Sequence, residues 1–481
     1  MKGIHRIALF FIVILCISLR LYKINGPVAD WHSWRQADTA AVARNFLRTG
    51  FDLFQPRYDD LSNIQSGKDN PRGYRMVEFP LYQGVGALLA KAFPALPVEV
   101  WLRLVTIGAS AGTVLLLALM VGRLIDPTTG LLAGLVFAIL PYSMYYGRTI
   151  LPEPFAVFWA VLSLYILVVN NRKHWLTLIA SGISAAIALL VKPTAGFLLL
   201  PAVYLLASGK IFPKQIPLRL LAYFLISAVP LLWWRRWIMQ FPEGIPAYEW
   251  LLNNNGIRFK GAWFNWLFAE RLGRLILGYW GLIPLGLGFA ATPSKKEGWV
   301  FRWLLIGALL YWIVFASGNV QHDYYQIIIL PVVGVCVAKG LSYLLGKHEG
   351  INRYASVGLA LSAIVFMCAF SWFTVRTYYW VNRPEIVEAG IAADALLPQN
   401  AKVIASYNGD TSFLYQTKRQ GWPLGFDIDK KIAAGATHYV TVSPSDNDGE
   451  TRDLASRFTV LVRNERYAII DLTKPVQRSA R

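Results

Sequence analysis

Two aspartates flank an arginine in the stretch DWHSWRQAD, Asp30 to Asp38, with Trp31, His32 and Trp34 beside them. A carboxylate in such a stretch can take a proton from an attacking hydroxyl, and the planar fork of Arg35 can hold a phosphate. Three further polar clusters carry related chemistry. In TILPEPF, Glu153 stands between Pro152 and Pro154; in LLVKP, Lys192 precedes Pro193; in NVQHDYY, His322 and Asp323 precede Tyr324 and Tyr325. A lysine where a proline must break a helix can neutralise a phosphate. A His-Asp pair can bind an anion or relay a proton, and the two tyrosines can line an interfacial groove. Structural roles compete with each of these. Glu153 between its prolines also makes a favourable helix start, Lys192 can snorkel, and Asp and Arg in one loop can form a plain salt bridge.

The elements that must position these residues are apolar. The chain has 481 residues, 55% hydrophobic and 14% aromatic. About eleven near-continuous apolar stretches cross positions 1–375, long enough to read as spanning helices. The eighteen tryptophans suit interfacial belts. Each polar cluster sits at the end of an apolar run, and almost no run carries an ionisable residue at its middle. That pattern disfavours a secondary transporter, which places charges near mid-span and often repeats its halves. The net charge of +19 is scattered between runs with no basic tract, so it points to lipid headgroups or a lipid phosphate rather than nucleic acid. Cys16, Cys336 and Cys368 fall inside predicted spans and build no disulfide framework.

The first span is expected near Ile7–Tyr22, a retained anchor whose preceding Lys2 and Arg6 put the N-terminus in the cytoplasm. A long outer loop follows, 23–100. Its apolar end, Phe79–Phe93, is read as lying on the membrane surface. Later spans then run near Leu131–Tyr146, Leu275–Ala291 and Ile327–Leu345, among others, for about eleven in all. This threading places Arg123, Arg172, Lys173, Lys210, Lys214, Arg219, Lys295, Lys296, Lys347 and Arg353 in short cytoplasmic loops, as the positive-inside rule asks. It also puts all four polar clusters on one outer face. The outer loops 23–100 and 236–274 carry basic residues too, including Arg35, Arg44, Arg258 and Lys260, read as anion binding. From 376 to 481 the composition changes. Strands are expected at Ala401–Tyr407, Thr437–Ser443 and across Phe458–Leu472, with helices near Asp429–Ala434 and Glu450–Arg457. This is a small outer α/β domain, read as a lid or docking domain.

Taken in order, six motifs carry a family resemblance: ARNF (Ala43–Phe46), EFPLYQ (Glu78–Gln83), LPEP (Leu151–Pro154), LLVKP (Leu189–Pro193), HDYYQIIILP (His322–Pro331) and GW (Gly421–Trp422). The arrangement resembles the polytopic GT-C glycosyltransferases, specifically glycosyltransferase family 39. That family includes the protein O-mannosyltransferases and the aminoarabinose transferases of lipid A, and the likeness is to its bacterial branch. The resemblance implies a GT-C transmembrane catalytic domain, 1–375, followed by an extracytoplasmic α/β domain, 376–481, in a bacterial inner membrane. It implies an inverting transferase of the cell envelope, with a polyprenyl-monophosphate sugar as donor and a hydroxyl on a glycan such as lipopolysaccharide, a lipid or a protein as acceptor. It also implies an aspartate of the first outer loop as general base.

Better-known members carry an Asp-Glu pair about eight residues before the ARNF-like alanine; here Arg35 and Gln36 stand there. The base is therefore Asp30 or Asp38, with Asp30, nearer the span, slightly preferred. Substrate-binding roles fall to His32, Arg35, Glu78, Glu153, Lys192, His322, Asp323, Tyr324 and Tyr325. Phosphate already leaves well, so no metal or other cofactor is demanded, though a divalent ion is compatible. A lipid-linked oligosaccharide ligase or polymerase is the rival enzyme; it uses diphosphate-linked donors and displays a large outer loop. Replacing both Asp30 and Asp38 with Asn is expected to abolish sugar transfer without preventing membrane insertion. Full activity of that double variant, assayed in isolated membranes, would refute the assignment.

Overall fold

The computed structural model describes residues 3–170, 174–208, 215–350 and 352–476. Of the basic residues expected beside spans, Lys2, Arg172, Lys173, Lys210 and Lys214 lie outside these. The chain divides into two compact units. One comprises Met1–Ile24, Arg103–Trp237 and Tyr248–Tyr378; the other comprises Asn25–Leu102, Ile238–Ala247 and Tyr379–Arg481.

The first unit is helical. Among the described residues, five helical stretches are long and apolar enough to cross a membrane: Gly3–Arg20, Val98–Leu124, Ile216–Ile238, Asp323–Leu345 and Arg353–Leu396, the last taking in the helices Arg353–Val375 and Pro384–Leu396. Shorter apolar helices include Pro127–Ile139, Glu153–Val169, Trp175–Val191, Pro193–Ala207 and Val300–Val314. Several apolar runs that read as single spans are broken. The run Leu131–Tyr146 is two helices, Pro127–Ile139 and Pro141–Tyr146. Pro141 has no N–H to offer the carbonyl four residues back, so Phe137 loses its intrahelical partner. Arg20, fully buried, fills the gap. Its guanidinium donates to the carbonyls of Phe137 (3.3 Å), Ala138 (3.0 Å) and Ser143 (3.1 Å). One interaction thus satisfies a helix break and fixes the C-terminal end of Gly3–Arg20. Leu275–Ala291 is also divided, into Asn265–Ile276 and Leu282–Ala290. Gly278 and Tyr279 between them take left-handed φ of 49° and 59°. A Cβ on Gly278 would stand 2.5 Å from the Met367 carbonyl, so that crossing needs glycine on both counts. Arg219, expected in a loop, is instead buried in the helix Ile216–Ile238, its guanidinium 5.2 Å from the Trp175 ring.

The second unit is built on a five-stranded sheet: β1 Lys402–Ala405, β2 Gln420–Trp422, β3 His438–Thr441, β4 Phe458–Arg463 and β5 Ala468–Pro475, in the order β2-β1-β3-β5-β4. β2, β1 and β3 run parallel; β5 is antiparallel to β3 and β4. Helices Pro384–Leu396, Thr411–Gln416, Ile428–Ala433 and Gly449–Arg457 accompany it. β2 and the helices Pro384–Leu396 and Thr411–Gln416 were not expected. One sheet face packs Val403, Ala405, Phe413, Val440 and Ile469; the other packs Ile404, Trp422, Tyr439, Leu454 and Ile470. The alternation is the strand period of two, with apolar residues on both sides because the sheet is covered twice.

The first loop belongs to this unit. Leu61 N–H donates to the Gly421 carbonyl (2.8 Å) and Gly421 N–H to the Asp59 carbonyl (2.9 Å), so the segment around Asp60 pairs with β2 as an added edge. The apolar end of the loop forms the helix Leu81–Ala92 of 12 residues. Its length, about 18 Å, falls short of a hydrocarbon core of about 30 Å.

The helices Leu282–Ala290 and Leu330–Leu345 touch backbone to backbone. A Cβ on Gly340 would lie 1.8 Å from the Pro284 carbonyl, and one on Gly288 1.8 Å from that of Cys336. Small residues permit such close approach in a membrane. Gly340→Val is expected to cost about 3 kcal/mol, read as a fall of several degrees in the unfolding temperature of the detergent-solubilised protein with helix content retained.

Candidate active site

In the helical unit, chain breaks place the polar side chains. Glu153 opens the helix Glu153–Val169 between two prolines that fit its first turn, and is buried. Lys192 caps Trp175–Val191 in extended conformation, because Pro193 excludes helix before it. The two meet: Lys192 Nζ lies 2.5 Å from Glu153 Oε1. Glu153 Oε2 is buried with no hydrogen-bond partner among the described residues. Lys192 Nζ also lies 5.3 Å from the centre of the Tyr325 ring, within cation–π reach. His322, extended at the junction of Ala316–Gln321 and the 3-10 turn Asp323–Ile329, stacks near Tyr325 (6.1 Å, 21° between planes) and Tyr324 (5.5 Å) and meets Trp250 edge-on. Glu153, Lys192, His322, Tyr324 and Tyr325 therefore form one cluster.

Asp323 is held elsewhere. Its carboxylate accepts from the Tyr146 hydroxyl (2.6 Å) and the Tyr378 hydroxyl (2.5 Å), and its carbonyl accepts from Tyr142 (2.6 Å). Tyr142 and Tyr378 escaped the sequence reading; separations of 181 and 55 residues leave no local signal. The same unit holds an apolar cavity of about 510 Å³, lined by residues including Phe268, Leu272, Leu285, Phe289 and Trp312.

In the second unit, the helix Ser33–Arg48 carries Arg35 and Asp38, with Asp30 and His32 just before it. Arg35 Nη2 donates to both oxygens of Glu78 (3.0 and 2.9 Å), and Gln83 Nε2 donates to Glu78 Oε1 (3.0 Å). Asp38 is sealed in. It accepts from the Thr411 hydroxyl (2.6 Å), and Arg75 Nη2 lies 2.9 Å from its other oxygen, close enough for attraction though not aligned as a hydrogen bond. Burial pushes its carboxyl above the usual range, while Arg75 and the Thr411 hydroxyl pull it back.

Asp30 is placed differently. It accepts from Gln36 Nε2 (2.7 Å) and lines a pocket of about 200 Å³ together with His32, Trp34, Tyr407 and Asp410. The structure thus separates the two aspartates, of which the sequence preferred Asp30 only slightly: Asp38 is inside the packing and Asp30 lines a void. Arg75, Thr411, Tyr407 and Asp410 were missed, since nothing local marks them; Gln36, adjacent to Arg35, was legible only as a departure from the family pair. Among the described residues, no three His, Cys, Asp or Glu side chains are grouped to hold a metal ion.

The chain is a multi-pass membrane protein with the GT-C fold of membrane glycosyltransferases, shown by its likeness to solved structures of that fold. Residues 85–234 match the family described as dolichyl-phosphate-mannose-protein mannosyltransferase. ArnT from Cupriavidus metallidurans, in a crystal structure bound to undecaprenyl phosphate, is similar over 96% of this chain and 97% of its own, with a TM-score of 0.64 at 11% identity. The oligosaccharyltransferase AglB from Archaeoglobus fulgidus, in complex with an inhibitory peptide and a dolichol-phosphate, is similar over 95% of this chain and 73% of its own (TM-score 0.56, 11% identity). The mycobacterial arabinofuranosyltransferase AftD is similar over 96% of this chain and 41% of its own (TM-score 0.55, 14% identity). No curated protein sequence matches the chain.

A buried ion pair broken on one side leaves an uncompensated charge. Lys192→Met is therefore expected to destabilise by about 3–5 kcal/mol, and the double variant Lys192→Met, Glu153→Gln to regain most of it. Thermal unfolding in detergent checks both. A double variant no more stable than Lys192→Met would show that Lys192 is not there to neutralise Glu153.

Proposed function

We propose that this protein is an inverting glycosyltransferase that moves a sugar from a polyprenyl-monophosphate donor to a hydroxyl acceptor at the outer face of a bacterial inner membrane. The observation that carries this reading is the full-length likeness to an ArnT structure whose bound molecule is undecaprenyl phosphate. The alternation of basic and polar loops along the sequence supports an N-terminus in the cytoplasm and a C-terminal domain outside.

Asp30 acts as general base. The acceptor oxygen attacks the anomeric carbon from the side opposite the phosphate, its proton passes to Asp30, and the bond from anomeric carbon to phosphate oxygen breaks with its electron pair on phosphate. Attack from the opposite side inverts the centre. Lys192, with His322, compensates the charge that grows on the leaving phosphate; fixed cations in a dry site are worth a few kcal/mol there. The buried, unsatisfied Glu153 Oε2 can accept a donor hydroxyl and orient the sugar. The apolar cavity beside Phe268 and Trp312 takes part of the isoprenoid tail, whose burial is favourable for every methylene removed from water. Arg35 and Glu78, satisfied by each other, brace the loop carrying Asp30 rather than holding phosphate, and Asp38 with Arg75 and Thr411 fixes the helix behind it.

The test uses purified protein and a radiolabelled polyprenyl-monophosphate sugar. Consumption of the donor is expected, and Asp30→Asn is expected to lower kcat/KM by roughly 10²–10⁴ with unchanged thermal stability. Asp38→Asn is expected instead to lower the unfolding temperature, since Arg75 loses its buried counter-charge. No donor consumption would overturn the transferase reading; full turnover in Asp30→Asn would remove Asp30 from it.

A further inference from the structure

The pocket beside Asp30 is made from three stretches far apart in sequence: residues 29–34, Asn382 to Ile386, and Tyr407 with Asp410. We infer that it is a subsite for a neutral saccharide, so that the acceptor is a glycan; this rests on the transferase reading above and deepens it.

The lining combines three recognition chemistries. Trp31, Trp34 and Tyr407 offer aromatic faces, against which the apolar C–H face of a pyranose can pack. Asp30 and Asp410 offer carboxylates, which can only accept hydrogen bonds and so select hydroxyl donors. Asn382 and Arg383, both exposed, offer donors to ring and hydroxyl oxygens; the Arg383 guanidinium lies 5.9 Å from the Tyr407 ring centre. Aliphatic side chains are few, Ala29 and Ile386, so the pocket is no socket for a lipid tail. Two carboxylates oppose an anionic group, which argues against a second phosphate site. No sheet strand contributes to the lining, so the pocket offers no edge on which an extended peptide could pair.

Size and backbone point the same way. The volume, about 200 Å³, is below the roughly 300–1,000 Å³ of pockets for drug-sized ligands and suits one sugar residue. The exposed rim lets the rest of a glycan extend outward. His32 holds φ at 54°, a left-handed conformation uncommon outside glycine, and its side chain does not cap the helix it precedes. Strain of this kind persists where the surroundings over-determine it, as binding sites do. Here it turns Trp31 and His32 out of the helix path, their rings 5.2 Å apart and edge to face. Asp410 is anchored from behind, one oxygen accepting from Ser412 N–H (2.8 Å) at the start of Thr411–Gln416. A sugar hydroxyl bonded to Asp30 in this pocket is the one that Asp30 would deprotonate.

Hydroxyl-radical footprinting of the full chain in lipid nanodiscs tests the inference, read by mass spectrometry with linear gluco-, galacto- and manno-configured trisaccharides as probes. Labelling of Trp31 and Tyr407 is taken relative to exposed Trp299, which corrects for radicals scavenged by free sugar. At least one trisaccharide is expected to reduce that ratio by more than half, and Asp410→Asn and Arg383→Gln are each expected to restore it. Two variants are used because Asp410 also caps a helix. An unchanged ratio with every trisaccharide overturns the inference. So does equal protection in both variants, or protection by a serine- and threonine-rich peptide alone. The donor assay runs in parallel. Donor consumption without protection rejects the saccharide subsite only, while protection without donor consumption keeps the subsite and rejects the transferase reading.

Discussion

A charge taken out of water must be compensated where it ends up, and that requirement organises both units. The idealised cost of moving one ion into a dry interior is of order 20 kcal/mol, and several kcal/mol persist after relaxation. No fold with a stability of about 5–15 kcal/mol tolerates many such charges alone. Several buried charges here accordingly meet opposite charges or rows of acceptors, and Asp323 meets two tyrosine hydroxyls. Lys339 pairs with Glu297 at 2.6 Å, Lys192 with Glu153, Arg35 with Glu78, and Arg44 with Asp59. Arg20 is satisfied by carbonyls that a broken helix leaves over. The pairing also sorts the ionisable residues. Arg35 and Glu78, locked to each other, shape the scaffold, whereas Asp30 lines a void.

Helix breaks supply the positions for those charges. A continuous apolar helix satisfies its own backbone and offers nothing polar at mid-depth. Prolines at 141, 154 and 193 and the left-handed pair Gly278 and Tyr279 interrupt that continuity. Polar side chains sit beside each proline break: Arg20 reaches the first, Glu153 stands at the second and Lys192 at the third. Glu153 and Lys192 then join the His322 and Tyr325 cluster through an ion pair and a cation–π contact.

In the second unit the organising contact is backbone pairing. The segment around Asp60 extends the sheet beyond β2, which ties the first loop to the C-terminal fold. Arg44 strengthens that union, stacking on the Tyr415 ring at 3.9 Å while bonding Asp59. The consequence for the site is direct. Tyr407 and Asp410, which follow β1, become the second wall of the pocket whose first wall is residues 29–34.

The sequence by itself determined the class of fold, because span length, apolar runs and strand alternation are local quantities. It also marked the clusters at Asp30, Glu153, Lys192 and His322, since a polar residue at the end of an apolar run, or beside a proline, is visible within a few positions. The strands β1, β3, β4 and β5 were legible for the same reason, whereas the three-residue β2 was too short to show a period. Only the tertiary structure decided which aspartate lines a pocket. Asp38 and Asp30 look alike in one dimension; Thr411, 373 residues away, and Arg75 claim the first, and Tyr407 and Asp410 open a void beside the second. Partner choice among buried charges depends on desolvation in three dimensions, and no local pattern encodes it.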